Sequence, residues 1–276
     1  MMLLTPAPNI ISPLVLVILL ASPILSQDTK STSLAGQGVA ERYWDCCKPD
    51  CSWEAKAAFN QPVLTCNANN KPQSDFTLGS SCGGGDAFSC ANQSPWAVND
   101  TFSLGFSGVF ITQHASDLWC CACYELTFTS GAVKGKKMVV QAHNSAFDIP
   151  TVNRFPIAVP GGNTSYANAC ALQYDVPSSV FGVENQGVES KSDCDDLPEP
   201  LQRGCRWRFD WFEDETSPTL DYKRITCPAT LTDISGCIRA DDTKFGNAGA
   251  TSPAPAYSTL GAGAFLFTIV IDFLLF

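Results

Sequence analysis

Fourteen cysteines lie between Cys46 and Cys237 of this 276-residue chain, and no other feature restricts its fold as strongly. An even count permits complete pairing. Seven bridges, each worth about 2–4 kcal/mol where its loop is long, let a loop-rich chain with modest regular structure persist outside the cell. Zinc is the competing use for dense clusters such as Cys46-Cys47 with Cys51, and Cys120-Cys121 with Cys123. Structural zinc prefers paired C-x2-C units or histidine partners, and the only histidines are His114 and His143. An oxidising compartment also keeps thiolates scarce, so a disulfide framework without metal or cofactor is expected.

Both ends read as processing signals. Residues 10–25 are an apolar run broken only by Ser and Pro, closing at the small Ser26. That length suits a signal peptide, 1–26, better than a membrane span. Residues 27–38 read as a disordered lead-in. At the other end, small residues at 246–250 precede a polar, Pro-containing spacer and then an apolar tail, 260–276. This order is what a transamidase reads before attaching a GPI anchor. The region 246–259 is then linker and attachment site. A C-terminal transmembrane tail is the alternative, although no basic cytoplasmic stub follows it. The folded domain is expected over 39–239, secreted and held at the cell surface, with no other contact to membrane. The sequons at Asn92, Asn99 and Asn163 fit that route. A formal net charge of −10 without a basic stripe excludes nucleic acid as a natural partner. Nothing points to an oligomer, so a monomer is expected.

Within the domain the pattern is mainly β, with long loops. Residues 124–129 alternate apolar and polar, 137–142 are apolar and β-branched, and 206–212 alternate aromatic with charged, so all three read as strands. Residues 96–106 read as a short helix capped by Asn99 or Asp100. Gly and Pro punctuate the intervening segments, as at Pro160-Gly161-Gly162.

Chemistry concentrates at Arg42-Tyr43-Trp44-Asp45-Cys46-Cys47-Lys48-Pro49. There a carboxylate sits between aromatics and a cysteine pair. Flat aromatic faces stack on sugar rings, so Asp45 beside Tyr43, Trp44 and Trp53 suggests carbohydrate chemistry. The competing reading makes Tyr43 and Trp44 core aromatics and Asp45 a turn residue or a partner of Arg42 or Lys48. Residue types alone leave both open. A Ser or Cys nucleophile lacks a base and a G-x-S-x-G elbow, and Gly83-Gly84-Gly85 lacks the Lys of a phosphate loop.

R-Y-W-D-C-C-K-P-D-C-S-W at 42–53, P-W-A-V-N-D at 95–100 and W-C-C-A-C-Y-E-L-T-F-T-S-G at 119–131 together resemble the family 45 glycoside hydrolases. G-K-K-M-V-V-Q at 135–141, P-G-G at 160–162 and R-F-D-W-F at 208–212 extend the likeness across the mature domain. The resemblance implies a six-stranded double-psi β-barrel with long disulfide-stapled loops. It also implies a groove in which cellulose or a related β-1,4-glucan is cut internally, with inversion. The implied bridges are Cys46–Cys170, Cys47–Cys82, Cys51–Cys120, Cys66–Cys90, Cys121–Cys237, Cys123–Cys227 and Cys194–Cys205. Asp45 takes the general-base position, and Arg42, Tyr43, Trp44, Lys48 and Trp53 the substrate-binding surface. The family's general acid falls on Pro156, which carries no proton. Arg154 stands where the family has His, and Glu41 where a hydroxyl residue usually precedes Arg42. Asp148 matches a family aspartate on the loop over the substrate, and is expected as substitute acid or loop assistant. The alternative is a non-catalytic, surface-anchored glucan-binding or expansin-like wall protein.

Overall fold

The computed structural model describes residues 34–163 and 167–248. The expected signal peptide, the start of the lead-in, and the linker and tail from residue 249 onward lie outside the described residues. Among the described residues there are nine strands: β1 (Ala35–Tyr43), β2 (Thr65–Cys66), β3 (Pro72–Gln73), β4 (Trp96–Asn99), β5 (Phe102–Val109), β6 (Cys123–Phe128), β7 (Lys137–Ser145), β8 (Arg154–Ala158) and β9 (Thr219–Ile225). Helices α1 (Ser116–Trp119), α2 (Ala167–Tyr174), α3 (Glu199–Asp210) and α4 (Ala229–Ser235) lie among the loops.

Six strands close a mixed barrel in the order β5-β7-β6-β9-β1-β8, and β8 returns to β5 at Ser107↔Ile157. The pairs β1·β8 and β5·β7 are parallel, and the other barrel neighbours are antiparallel. This is the six-stranded, mainly β architecture that the resemblance implies. Period-2 alternation builds the interior. Ala40, Val109, Tyr124, Leu126, Met138, Val140, Phe155, Ile157 and Tyr222, drawn from all six strands, form one buried cluster. Three of its rings pack closely, with centroids 5.4 Å apart for Tyr124–Phe155 and 4.9 Å for Phe155–Tyr222. Residues of opposite parity, such as Glu41, Arg154 and Pro156, therefore stand on the outer face of the β1·β8 pair.

All fourteen cysteines pair, in the seven combinations that the resemblance implies. Such a framework persists in oxidising compartments, of which the extracellular space is one. The strands expected over 124–129 and 137–142 are β6 and β7.

Three other expectations are corrected. The segment 96–106 is not helical but the hairpin β4–β5. Asn99 accepts the Thr101 backbone N–H at 2.9 Å, so the polar pair that reads as a cap is a turn. Gly105 and the burial of nearly all of β5 favour strand. The segment 206–212 is mostly helix α3, opened by Pro198 and Pro200. Leu201, Gly204, Cys205 and Arg208 are buried at helical spacing, and Trp207 stacks on Trp211 at 5.3 Å. Finally, the fold exceeds 39–239 at both ends. Strand β1 starts at Ala35, paired with Lys223 of β9, and the Gly246 carbonyl accepts the Thr226 N–H at 3.0 Å.

Candidate active site

Asp45 follows directly on β1, and the backbone beyond it is immobilised. Cys46 holds φ at 56°, a conformation that costs a non-glycine residue about 1–2 kcal/mol. The Cys46–Cys170 and Cys47–Cys82 bridges flank that turn. Ser81 Oγ donates to the Cys46 carbonyl at 3.0 Å, and Ser89 Oγ to the Cys47 carbonyl at 2.8 Å. The Pro160-Gly161-Gly162 motif contributes from the far side of β8. Gly161, at φ 71°, lets the Gly162 N–H reach the Val159 carbonyl at 2.8 Å. This turn returns the chain so that the Asn163 carbonyl accepts the Trp44 N–H at 3.0 Å. The segment carrying Asp45 is thus held on both flanks.

The Asp45 carboxylate accepts the Cys47 N–H at 2.9 Å and has no cationic partner among the described residues. Burial raises its pKa above the ordinary Asp value, and the Cys47 N–H offsets only part of that rise. It faces a cleft of ≈ 400 Å³ together with Glu41, Tyr43, Asp148, Arg154 and Pro156. A second cleft of ≈ 510 Å³ shares Glu41, Arg42 and Asn163 with the first and continues past Arg208, Asp214 and Ser217. The two make a continuous polar groove, suited to an extended ligand rather than a compact one.

A hydrogen-bonded relay runs from Tyr43, at the cleft, into the buried interior behind it. Tyr43 Oη lies 2.5 Å from His143 Nε2, and His143 Nδ1 lies 2.9 Å from Gln93 Oε1. The Gln93 amide nitrogen already donates to the Leu64 carbonyl, so its oxygen accepts from Nδ1–H and Nε2 accepts from Tyr43. Burial pushes the His143 pKa down to about 3, which keeps the ring neutral. Asn144 Nδ2 donates to Tyr43 Oη at 3.3 Å, fixing the phenol. Sequence reasoning missed His143, Asn144 and Ser145. Their signal was three polar residues closing the apolar run of β7.

The structure gathers Asp45, Tyr43, Arg42 and Asp148 at the groove. Arg42 is bound to Asp214, which also accepts Arg208 Nε at 2.6 Å. Asp148 lies at the lip, 70% exposed, ion-paired with Arg154. Two expected sugar contacts are corrected. Trp44 is 3% exposed and packs in the outer core with Phe106 and the Cys46–Cys170 bridge, so no sugar reaches its face. Lys48 is 5% exposed, and its ammonium donates to the Phe76 and Leu78 carbonyls at 2.7 and 2.9 Å. That ammonium also sits 3.4 Å from the centroid of the Trp53 ring, which makes Trp53 a partner of Lys48. Pro156 lines the cleft, and its carbonyl accepts from Ser107 Oγ at 2.7 Å. In a strand the N and C=O of one residue point the same way. The N–H that proline lacks therefore faces β5, where pairing with β8 is confined to Ser107↔Ile157.

The chain is similar to known endoglucanases. A Fusarium oxysporum chain assigned as a type K endoglucanase is 45% identical over 230 residues, 82% of this chain and 60% of its own length. An endoglucanase of Cryptopygus antarcticus is 40% identical over 205 residues, 74% of this chain and 90% of its own length. The crystal structure of the cellulase from that Antarctic springtail superposes with a TM-score of 0.71 at 40% identity, covering 75% of this chain and 98% of the other. The Glycosyl hydrolase family 45 profile matches residues 37–238, which takes in the barrel, both walls of the groove and the bridged loops, and to that family the chain belongs.

Proposed function

We propose that the protein is an endo-β-1,4-glucanase that hydrolyses cellulose or a related β-glucan in the groove with inversion. Asp45 is the general base. The observation that carries this reading is a carboxylate without a counter-ion, made more basic by burial and facing a groove long enough for a polymer. Arg42, Tyr43 and Asn144 hold the sugar hydroxyls around it. Asp148, on the exposed lip and tied to Arg154, closes over bound substrate. The test follows carboxymethylcellulose, barley β-glucan and glucomannan by viscosity and by reducing ends. An endo-acting enzyme is expected to lower viscosity well before reducing ends accumulate. Binding to insoluble glucan with no new ends would instead identify a glucan-binding wall protein.

Two finer features belong to the same reading. The small-residue run, spacer and apolar tail make a GPI anchor at the cell surface. The sequon asparagines Asn92 and Asn99 are exposed, outside the lining of both clefts and available for glycosylation, whereas a glycan on the exposed Asn163 would occupy the groove. Phosphatidylinositol-specific phospholipase C is expected to release the protein from cells; retention after treatment would argue for a spanning tail.

A further inference from the structure

Inverting hydrolysis needs a proton donor on the opposite side of the scissile bond from the base. Among the described residues, three carboxyl groups line the cleft that holds Asp45: Asp45 itself, Glu41 and Asp148. We propose that Glu41 is the proton donor of this chain, carried on barrel strand β1 directly beside Pro156. The proposal rests on the endoglucanase reading above and extends it to the second half of the reaction.

The placement follows from register. In the parallel β1·β8 pair Glu41 is the neighbour of Pro156, as Ala40 is of Phe155. Ala40 and Phe155 both point into the barrel, so Glu41 and Pro156 share the outer face. Arg154, two residues before Pro156, stands on that face as well. It binds Glu41 Oε2 through Nε at 2.7 Å and through a second nitrogen at 2.5 Å. The carboxyl is thereby fixed on the barrel wall, with its side chain 25% exposed. Asp148 offers the same chemistry from a loop, with its side chain 70% exposed, and a proton donor works best when held in geometry by rigid elements. The ring of Pro156 leaves Glu41 no polar competitor at the neighbouring position.

Charge is shared across this cluster. Arg154 serves both Glu41 and Asp148, so the three groups carry one net negative charge when both carboxyls are ionised. Arg42 and Arg208, the other guanidiniums at the groove among the described residues, are both taken by Asp214, and Asp45 adds a further negative charge. In the reaction, the Glu41 carboxyl proton passes to the glycosidic oxygen as the C1–O bond breaks and its electron pair stays on that oxygen. Water forms the new bond to C1 and gives its proton to Asp45. Glu41 ends as carboxylate and Asp45 as acid, and exchange with solvent restores both.

The experiment compares wild type, Glu41→Gln and Asp148→Asn on barley β-glucan and on a dinitrophenyl cello-oligosaccharide, whose leaving group departs without a proton. Glu41→Gln is expected to lose about 10²–10⁴-fold in kcat on β-glucan, with KM little changed and turnover of the dinitrophenyl substrate retained. Asp148→Asn is expected to raise KM on both substrates alike, without a loss of kcat confined to β-glucan. Equal loss on both substrates in Glu41→Gln would overturn proton donation in favour of a positioning role. An active Glu41→Gln beside an Asp148→Asn that loses β-glucan alone would move the donor to Asp148. A folded wild type inert on both substrates would overturn the endoglucanase reading itself.

Discussion

Asp45→Asn is expected to lower the release of reducing ends from β-glucan by about 10²–10⁴-fold and, in the same protein, to leave the melting temperature unchanged or higher. Both effects come from one property. Burial disfavours the charged form of Asp45, so its pKa in the folded state lies above the unfolded value, and the Cys47 N–H recovers only part of the cost. A carboxyl whose folded pKa is raised binds more protons folded than unfolded across that window. Stability therefore falls as pH rises through it, and at neutral pH the ionised Asp45 is a burden on the fold. Asparagine removes the charge and keeps an oxygen for the Cys47 N–H. With Asp45 as the proposed base, the same shift strengthens it and is expected to set the acidic limb of the rate profile above the ordinary Asp pKa of about 3.9. Scanning calorimetry beside the reducing-end assay checks the pair of outcomes. Lost activity together with a lowered melting temperature would mean that Asp45 is a structural carboxylate, the competing reading its residue type allows.

What could be read along the chain depended on whether the deciding contacts were local. Strands β6 and β7 announce themselves by alternation and by β-branched residues, and the cysteine pairs follow from motifs specific enough to place the chain in a family. Helix α3 was hidden because Trp207, Phe209 and Trp211 alternate with Arg206, Arg208 and Asp210, a pattern of period two. The buried phase is different: Arg208 is 4% exposed, satisfied by Asp214 and by the Val188 carbonyl at 2.8 Å. A sequence reading assigns arginine to solvent by default, and here that default fails. The site shows the same division. Asp45 is legible beside its cysteine pair, whereas the sugar-stacking role expected for Trp44 is lost to core packing that no neighbouring residue signals. The contact between Glu41 and Pro156 is set by a parallel register between distant strands, which no local pattern encodes. Glu41 and Pro156 each read as an oddity in the sequence, and only the barrel makes them neighbours.

The domain's far boundary conceals the largest expected effect on stability. Asp241 lies past the expected domain end at Arg239, yet its carboxylate joins two guanidiniums that are almost out of solvent, with side chains 3% exposed for Arg224 and 7% for Arg239. Arg224 reaches it at 2.6 and 3.1 Å, and Arg239 at 2.8 and 3.3 Å. Arg239 also donates to the Asp117 and Cys120 carbonyls, tying this cluster to helix α1 and to the Cys51–Cys120 bridge. Burial raises the Asp241 pKa, but the hydrogen bonds from Arg239 and Arg224 outweigh it and hold the carboxyl well below the ordinary range. Removing one partner of a buried ion pair costs about 3–5 kcal/mol, because the other charge stays buried. Asp241→Asn is expected to lose that much, a fall in melting temperature of roughly 6–20 °C for a domain of this size. The pH dependence fixes the cause. A depressed folded pKa contributes stability above the unfolded value of about 3.9, and that stability is lost as pH falls toward the folded pKa. The gap between wild type and Asp241→Asn is therefore expected to be full at neutral pH and to narrow below about pH 4. A gap that stayed constant into acid would place the loss in packing around residue 241 rather than in its charge.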